Sequence, residues 1–309
     1  NKLLTKDTSY STYNGDCMKF KPTSLAEEII KRILVLFNLV EFSNSPSNLF
    51  NPMNHILVDK AIIPQIKFTD AIILLRNSIG YIDGKFIIDL NKQDTITDRV
   101  YSVFTSISSE TRKALGYINY DIGAALQTIT LQLVKDSELY PLHQRLINDK
   151  NSFRTEVTNQ TGKSLPWVKK ELSKLDNMEN YSTKIEILAE YFAESKCLRA
   201  SLIEQMEVEN DSKLIIAKSK ASDILIKQWD DLKKEYQFSA NGEKKESSVF
   251  FFIWTQYERK IREAMKIPFT NQLDIIDVHD AIYSKEEVSL DLIEKAVFEQ
   301  TGFRVKVSH

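Results

Sequence analysis

The 309 residues carry 41 basic and 43 acidic side chains, a formal net charge of -2, and 42% of them are hydrophobic. That is enough apolar chain for one large core or two intimate ones. The near-neutral balance counts against a protein that holds nucleic acid by overall charge, though not against a local basic groove. Two cysteines, Cys17 and Cys197, cannot build a disulfide framework or, alone, a structural zinc site, and they are expected to be free thiols.

No apolar run approaches the roughly 20 residues that span a bilayer. The first residues, "NKLLTKDTSY", lack the apolar core of a signal peptide, so an intracellular, cytoplasmic protein is expected. The absence of an initial Met suggests a trimmed or partial chain.

With 8 glycines and 7 prolines, long helices and short connections should dominate. "SLAEEIIKRILVLFNLVEF" (24–42) repeats its apolar positions at three and four behind Ser24, predicting a capped helix. "NSPSNLFNPMN" (44–54) is a loop. "FTDAIILLRNSIG" (68–80) predicts a helix stopped by Gly80, and "YIDGKFIIDL" (81–90) a hairpin turned by Asp-Gly.

"DRVYSVFTSIS" (98–108) alternates and is expected to be extended, with a short helix at 109–115 capped by Ser108 or Ser109. "GYINYDI" (116–122) predicts a strand that ends at Asp121, followed by a helix over 123–136. From 141 to 235 the pattern is almost wholly helical. "SANGEKKESS" (239–248) is a polar loop, and "VFFFIWTQYERKIREAMK" (249–266) is a long helix. "LDIIDVHDAIYSKEEV" (273–288) predicts a buried hairpin with His279 and Asp280 at its tip. A helix over 288–302 and an edge strand over 303–309 close the chain. A small sheet with a helical insertion between its two acidic positions is an α+β plan.

If the strands of Asp121 and Asp280 are neighbours, their carboxylates face each other at one end of a sheet. Two acids so held can share divalent cations, which clamp the attacking and leaving oxygens of a phosphoryl transfer. Mg²⁺ suits such a pair because it takes few protein carboxylates. The same spacing also suits plainer roles, Asp121 as a helix cap and Asp280 as a turn residue.

"DIIDVHDAIYSK" resembles motif C of the palm domain shared by family A DNA polymerases and single-subunit phage RNA polymerases. There a hairpin carries a His-Asp pair whose Asp binds metal. "GYINYDIGAALQTI" is similar to motif A, a strand ending in the first metal-binding Asp. "DRVYSVFTSISSETRKAL" is similar to the "GR-[VL]-Y" element before it, which contains Tyr101 and Arg112. The resemblance implies a polymerase-like palm, a small antiparallel sheet, with a large fingers-like helical insertion. Its regions would be a mainly helical 1–97, a palm segment with motif A over 98–140, fingers over 141–248 and a palm segment with motif C over 249–309.

It further implies that Asp121 and Asp280 bind Mg²⁺, or Mn²⁺, with His279 as a supporting catalytic residue. Nucleotide phosphates would meet Arg154, Lys169 and Lys170 in "FRTEVTNQTGKSLPWVKKELSKLDNMEN" (153–180), with Arg112 and Tyr101 as further nucleotide contacts. The aromatic-glycine pair of the family's motif B is absent after Lys170, where "LDNMEN" stands.

Family A DNA polymerases carry an acid in motif A and another directly after the motif C Asp. Here no acid occurs between Asp121 and Asp136, and Ala281 follows Asp280. The resemblance therefore leans toward an RNA polymerase using nucleoside triphosphates and a nucleic-acid template or primer. A family A DNA polymerase is the alternative. With so little chain before motif A, an accessory protein or a further N-terminal region is expected. A non-catalytic helical protein that binds nucleic acid or protein is the competing class. "TGKS" (161–164) matches the end of a P-loop, but Val157 stands where its first glycine belongs. His55 and His143 have no companions at zinc-ligand spacing.

Overall fold

The structure is a computed structural model and describes residues 4–6, 20–22, 50–94, 100–222, 225–230, 235–240 and 246–309. The helix expected over 24–42 lies outside the described residues. Two compact units divide the chain, Asn1–Gln93 with Tyr101–Tyr117, and Asp94–Val100 with Ile118–His309. The class is α+β.

In the first unit β1 (Leu4–Lys6) pairs with β2 (Phe20–Pro22), and a separate antiparallel sheet has the order β3 (His55–Asp59), β5 (Lys85–Asp89), β4 (Ser78–Ile82). Asp83 and Gly84 turn β4 into β5 with φ of 47° and 80°. Positive φ at both central residues is the type I′ geometry that matches strand twist, as the Asp-Gly pair predicts.

Helix α1 (Phe68–Arg76) stops at Asn77, not at Gly80. The Asn77 side-chain amide donates to the Ile73 carbonyl at 2.7 Å, and its own carbonyl accepts from the Asp89 amide at 2.9 Å. The chain has thus joined the sheet three residues before the glycine.

The stretch 98–108 is likewise not extended throughout. After β6 (Gln93–Asp94) and β7 (Val100–Tyr101), a short helix α2 spans Val103–Ser106. Ser102 and Thr105 form a reciprocal capping box that overrides the alternation. Helix α3 (Ser109–Ala114) starts at Ser108 as expected, its hydroxyl accepting from the Thr111 amide.

The second unit is organised by a four-stranded antiparallel sheet in the order β11 (Ile276–Val278), β12 (Ala281–Ser284), β8 (Ile118–Ile122), β13 (Val307–Ser308). Tyr120 and Ile122 are 0% and 1% exposed, whereas Asn119 and Asp121, which alternate with them, are half-buried. The period of two sends one set into the core and the other to the opposite face.

The core face meets α10 (Glu246–Met265) through Phe250, Phe252 and Ile253, and α11 (Leu290–Thr301) through Ile293 and Val297. Burying one such ring or branched chain is worth about 1.5–3 kcal/mol. Tyr120 adds a specific tie, because its hydroxyl accepts from the Val288 amide at 2.9 Å and donates to the Glu286 carbonyl at 3.0 Å.

Between β8 and α10 lie α4 (Ala125–Leu133), α5 (Pro141–Asn148), α6 (Lys150–Thr161), α7 (Leu165–Leu175), α8 (Glu186–Val208) and α9 (Ser212–Ser222). A second core of Leu146, Phe153, Val157, Val168, Leu172 and Tyr191 joins α5 to α8. The expected helical run to 235 ends early, because β9 (Leu225–Asp230) and β10 (Glu235–Ala240) pair as an antiparallel hairpin. The alternation Tyr236-Gln237-Phe238-Ser239 is the strand signal there. Residues 239 and 240, expected to be loop, end that strand, and α10 begins at Glu246, inside the expected loop.

Candidate active site

Strand β12 lies beside β8 with Ala281 opposite Asp121. Opposed Cα atoms in such a pair are about 4.5–5.5 Å apart, so Asp280, one residue before Ala281, stands at the same end of the sheet as Asp121. His279 and Asp280 form the two-residue turn between β11 and β12, whose flanking residues Val278 and Ala281 pair directly. His279 takes φ of 55°. A side-chain-bearing residue in the left-handed region is uncommon, and such backbone clusters at functional sites. The buried Arg262 of α10 donates from Nη1 to the His279 carbonyl, which anchors the turn.

After Asp121 the chain leaves β8 through Gly123, whose amide donates to the Lys306 carbonyl at 2.8 Å. A Cβ there would sit 3.3 Å from that oxygen, so glycine allows the close approach. Ala124 then takes φ of 49° as the N-cap of α4. The plainer roles weighed for both acids are met differently: Asp280 does occupy a turn, while Asp121 is not the cap of α4.

Asp121 and Asp280 face a cleft of about 420 Å³, which His279, Lys150, Arg154 and Lys169 also line. Burial above all, and then the Asp280 charge, push the Asp121 carboxyl from 3.8 up to about 6, with Lys150 opposing. The cations come from two helices. Lys150 and Arg154 are four apart on α6 and so share a face. Arg154 is half-buried, its Nε makes no hydrogen bond, and burial pulls the guanidinium below its ordinary range against the influence of Tyr191. Lys169 is exposed on α7, whose Val168, Leu172 and Leu175 turn inward.

The cleft therefore gathers five of the eight residues singled out from sequence: Asp121, His279, Asp280, Arg154 and Lys169. Lys170 is exposed and does not line it. Tyr101 and Arg112 belong to the first unit. There Tyr101 is exposed, and the Arg112 guanidinium donates to the Phe104 and Ile107 carbonyls at 3.1 and 2.8 Å while covering the Phe104 ring. Those bonds give Arg112 a local packing role.

Among the cleft residues not anticipated are Lys150, Gln127 and Asp176. Lys150 was detectable as the i−4 neighbour of Arg154. Nothing in the sequence pairs Gln127 with Asp176 across 49 positions.

The donor set bears on which metal the cleft suits. Among the described residues no group of three or more His, Cys, Asp or Glu side chains is gathered for a metal. Two neighbouring carboxylates that repel each other fit Mg²⁺, which completes its shell with water and phosphate oxygens, better than a closed zinc site. Among the described residues no helix is long and apolar enough to cross a membrane. No family model matches the chain, and no curated protein matches it.

Proposed function

We propose that this chain is a metal-dependent nucleotidyltransferase that extends a nucleic-acid 3′-hydroxyl from nucleoside triphosphates on a template, with ribonucleotides preferred. The observation that carries this reading is the pairing of Ala281 with Asp121, which sets two carboxylates side by side on one wall of a cleft lined also by Lys150, Arg154 and Lys169. The resemblance of 116–129 and 274–285 to polymerase motifs A and C adds to it.

In this reading Asp121 and Asp280 hold Mg²⁺ or Mn²⁺. The metal supplies Lewis-acid stabilisation of phosphoryl oxygens and lowers the pKa of the attacking hydroxyl. Arg154, Lys150 and Lys169 place positive charge against a triphosphate and stabilise charge that moves onto the leaving pyrophosphate. The hydrophobic strands on both sides of His279–Asp280 hold the acid rigidly, which is what positioning a reacting group requires. Ala281, small and 6% exposed, stands where a DNA polymerase of this kind has an acid, and that favours ribonucleotide use. Template and primer are the partners this reading needs.

The test is extension of primed and unprimed templates with Mg²⁺ or Mn²⁺, NTPs or dNTPs, for the wild type, Asp121→Ala and Asp280→Ala. Extension by the wild type with NTPs and loss in both variants is expected. No extension under either metal refutes the enzyme and leaves a nucleic-acid or protein binder. Variants as active as the wild type refute the site.

A further inference from the structure

The floor of the cleft rests on a buried polar cluster that the two carboxylates and three cations do not explain. Asp176, 2% exposed, accepts from Gln127 Nε2 at 2.6 Å, from the Tyr191 hydroxyl at 2.9 Å and from the Ser195 hydroxyl at 3.1 Å. His143, 0% exposed, stacks on Tyr191 with ring centroids 4.6 Å apart. Its Nδ1 lies 2.7 Å from Glu194 Oε1, and its Nε2 lies 3.1 Å from Ser195 Oγ and 3.4 Å from Asp176 Oδ1. Below them Arg199, 1% exposed, donates to the Asp176 and Met178 carbonyls at 2.9 and 2.8 Å. Most donors here end on a carboxylate or a carbonyl, the arrangement that keeps a buried polar group from costing stability.

The cluster has one consequence for the cleft. The Gln127 amide can be placed in two ways, and its neighbours decide which. Asp176 offers only acceptors, so the Gln127 nitrogen must face it, and that nitrogen also donates to the Tyr191 hydroxyl at 3.1 Å. Both hydrogen bonds of this side chain are thus made by the nitrogen, and the oxygen is the group it has left to offer. Gln127 is 7% exposed and lines the same cleft as Asp121. A neutral amide oxygen, locked by a buried carboxylate, is a fixed acceptor that asks its ligand for a donor.

We propose that Gln127 is the specificity-determining residue of the cleft, its amide oxygen accepting a hydrogen bond from a sugar hydroxyl of a bound nucleotide, with Asp176 and Tyr191 as its positioning residues. This rests on the nucleotide reading given above and adds a residue to it. A ligand without the hydroxyl does not supply that donor, and sites built to hydrogen-bond a hydroxyl discriminate against the analogue that lacks it.

The experiment is equilibrium binding of ATP, 2′-deoxy-ATP and 3′-deoxy-ATP to the full chain, with Ca²⁺ to suppress turnover, for wild type and Gln127→Met. The expected result is that one of the two deoxy analogues binds the wild type about three- to tenfold more weakly than ATP, the size of one net hydrogen bond. In Gln127→Met that difference should collapse. Which analogue loses affinity identifies the hydroxyl.

If no nucleotide binds, the nucleotide reading itself fails. If all three bind the wild type equally, or Gln127→Met keeps the wild-type preference, nucleotide binding stands and this inference is overturned. Should Gln127→Met not fold, Gln127→Asn, one methylene shorter, withdraws the oxygen in its place and is read in the same way.

Discussion

Asp121→Asn should make the metal-free protein more stable at neutral pH, although it removes a group proposed to be essential. The Asp121 carboxyl titrates at about 6 rather than 3.8, because burial and Asp280 both penalise its charge. A rise from 3.8 to about 6 corresponds to about 3 kcal/mol held against the folded state once Asp121 is ionised. The folded pKa is the raised one, so the favourable balance is fully present below pH 3.8 and lost as pH rises through about 6. Asparagine keeps the shape without the charge. For a unit of about this size each kcal/mol moves Tm by about 2–4 °C, so the variant should melt about 6–12 °C above wild type at pH 8. The gap should close as the pH falls toward 4.

Thermal melts from pH 4 to 8 in a chelator measure this, and Mg²⁺ at pH 8 should then raise the wild-type Tm but not that of the variant. A variant that melts below wild type at pH 8, or a gap that widens on acidification, would refute the electrostatic account of the pair.

Lys150→Ala removes the cation that opposes this shift, so the Asp121 midpoint should move above 6. A midpoint that falls, followed by carboxyl NMR, would remove Lys150 from the site. His143→Phe keeps a ring against Tyr191 but strips the donors from two buried carboxylates, at a cost of about 3–5 kcal/mol by urea denaturation. Burial alone would depress the His143 pKa, but Asp176 and Glu194 outweigh it and raise it above 6.5. The gap between His143→Phe and wild type should therefore be fullest below pH 6.5 and shrink as pH rises through the elevated value. A gap that grows with pH would show that His143 is held neutral. Tyr120→Phe leaves the buried Val288 amide without its acceptor and should cost about 1–3 kcal/mol, read from denaturant midpoints. A neutral substitution would mean that water replaces the hydroxyl.

The parts of this fold that were legible in sequence are those set by local chemistry. Asp83-Gly84, the Ser108 cap and the apolar runs around His279–Asp280 each act over a few residues, and each predicted the element found. The failures have equally local causes. Alternation over 98–108 lost to the capping box of Ser102 and Thr105, and Gly80 lost the end of α1 to Asn77, which the sheet had already captured. The hairpin 225–240 was hidden in a charged stretch whose lysines and acids also suit a helix.

At the site, the two acids were legible because strand and hairpin patterns bracket them, and Arg154 because a cation was sought on a helix between them. Gln127 and Asp176 were not. Their roles come from hydrogen bonds between α4 and the end of α7, which no periodicity encodes.

The register of β8 also bears on the order in which this protein can become competent. Asp121 pairs with Ala281 and with Ser308, 160 and 187 positions further along, and all of the helical segments over 125–222 intervene. Contacts of that sequence separation close late, after local helices have formed. A growing chain therefore carries Asp121 on an unpaired strand until β12 has emerged from the ribosome. The carboxylate meets its partner acid only then, so a product truncated before residue 280 assembles no acidic pair.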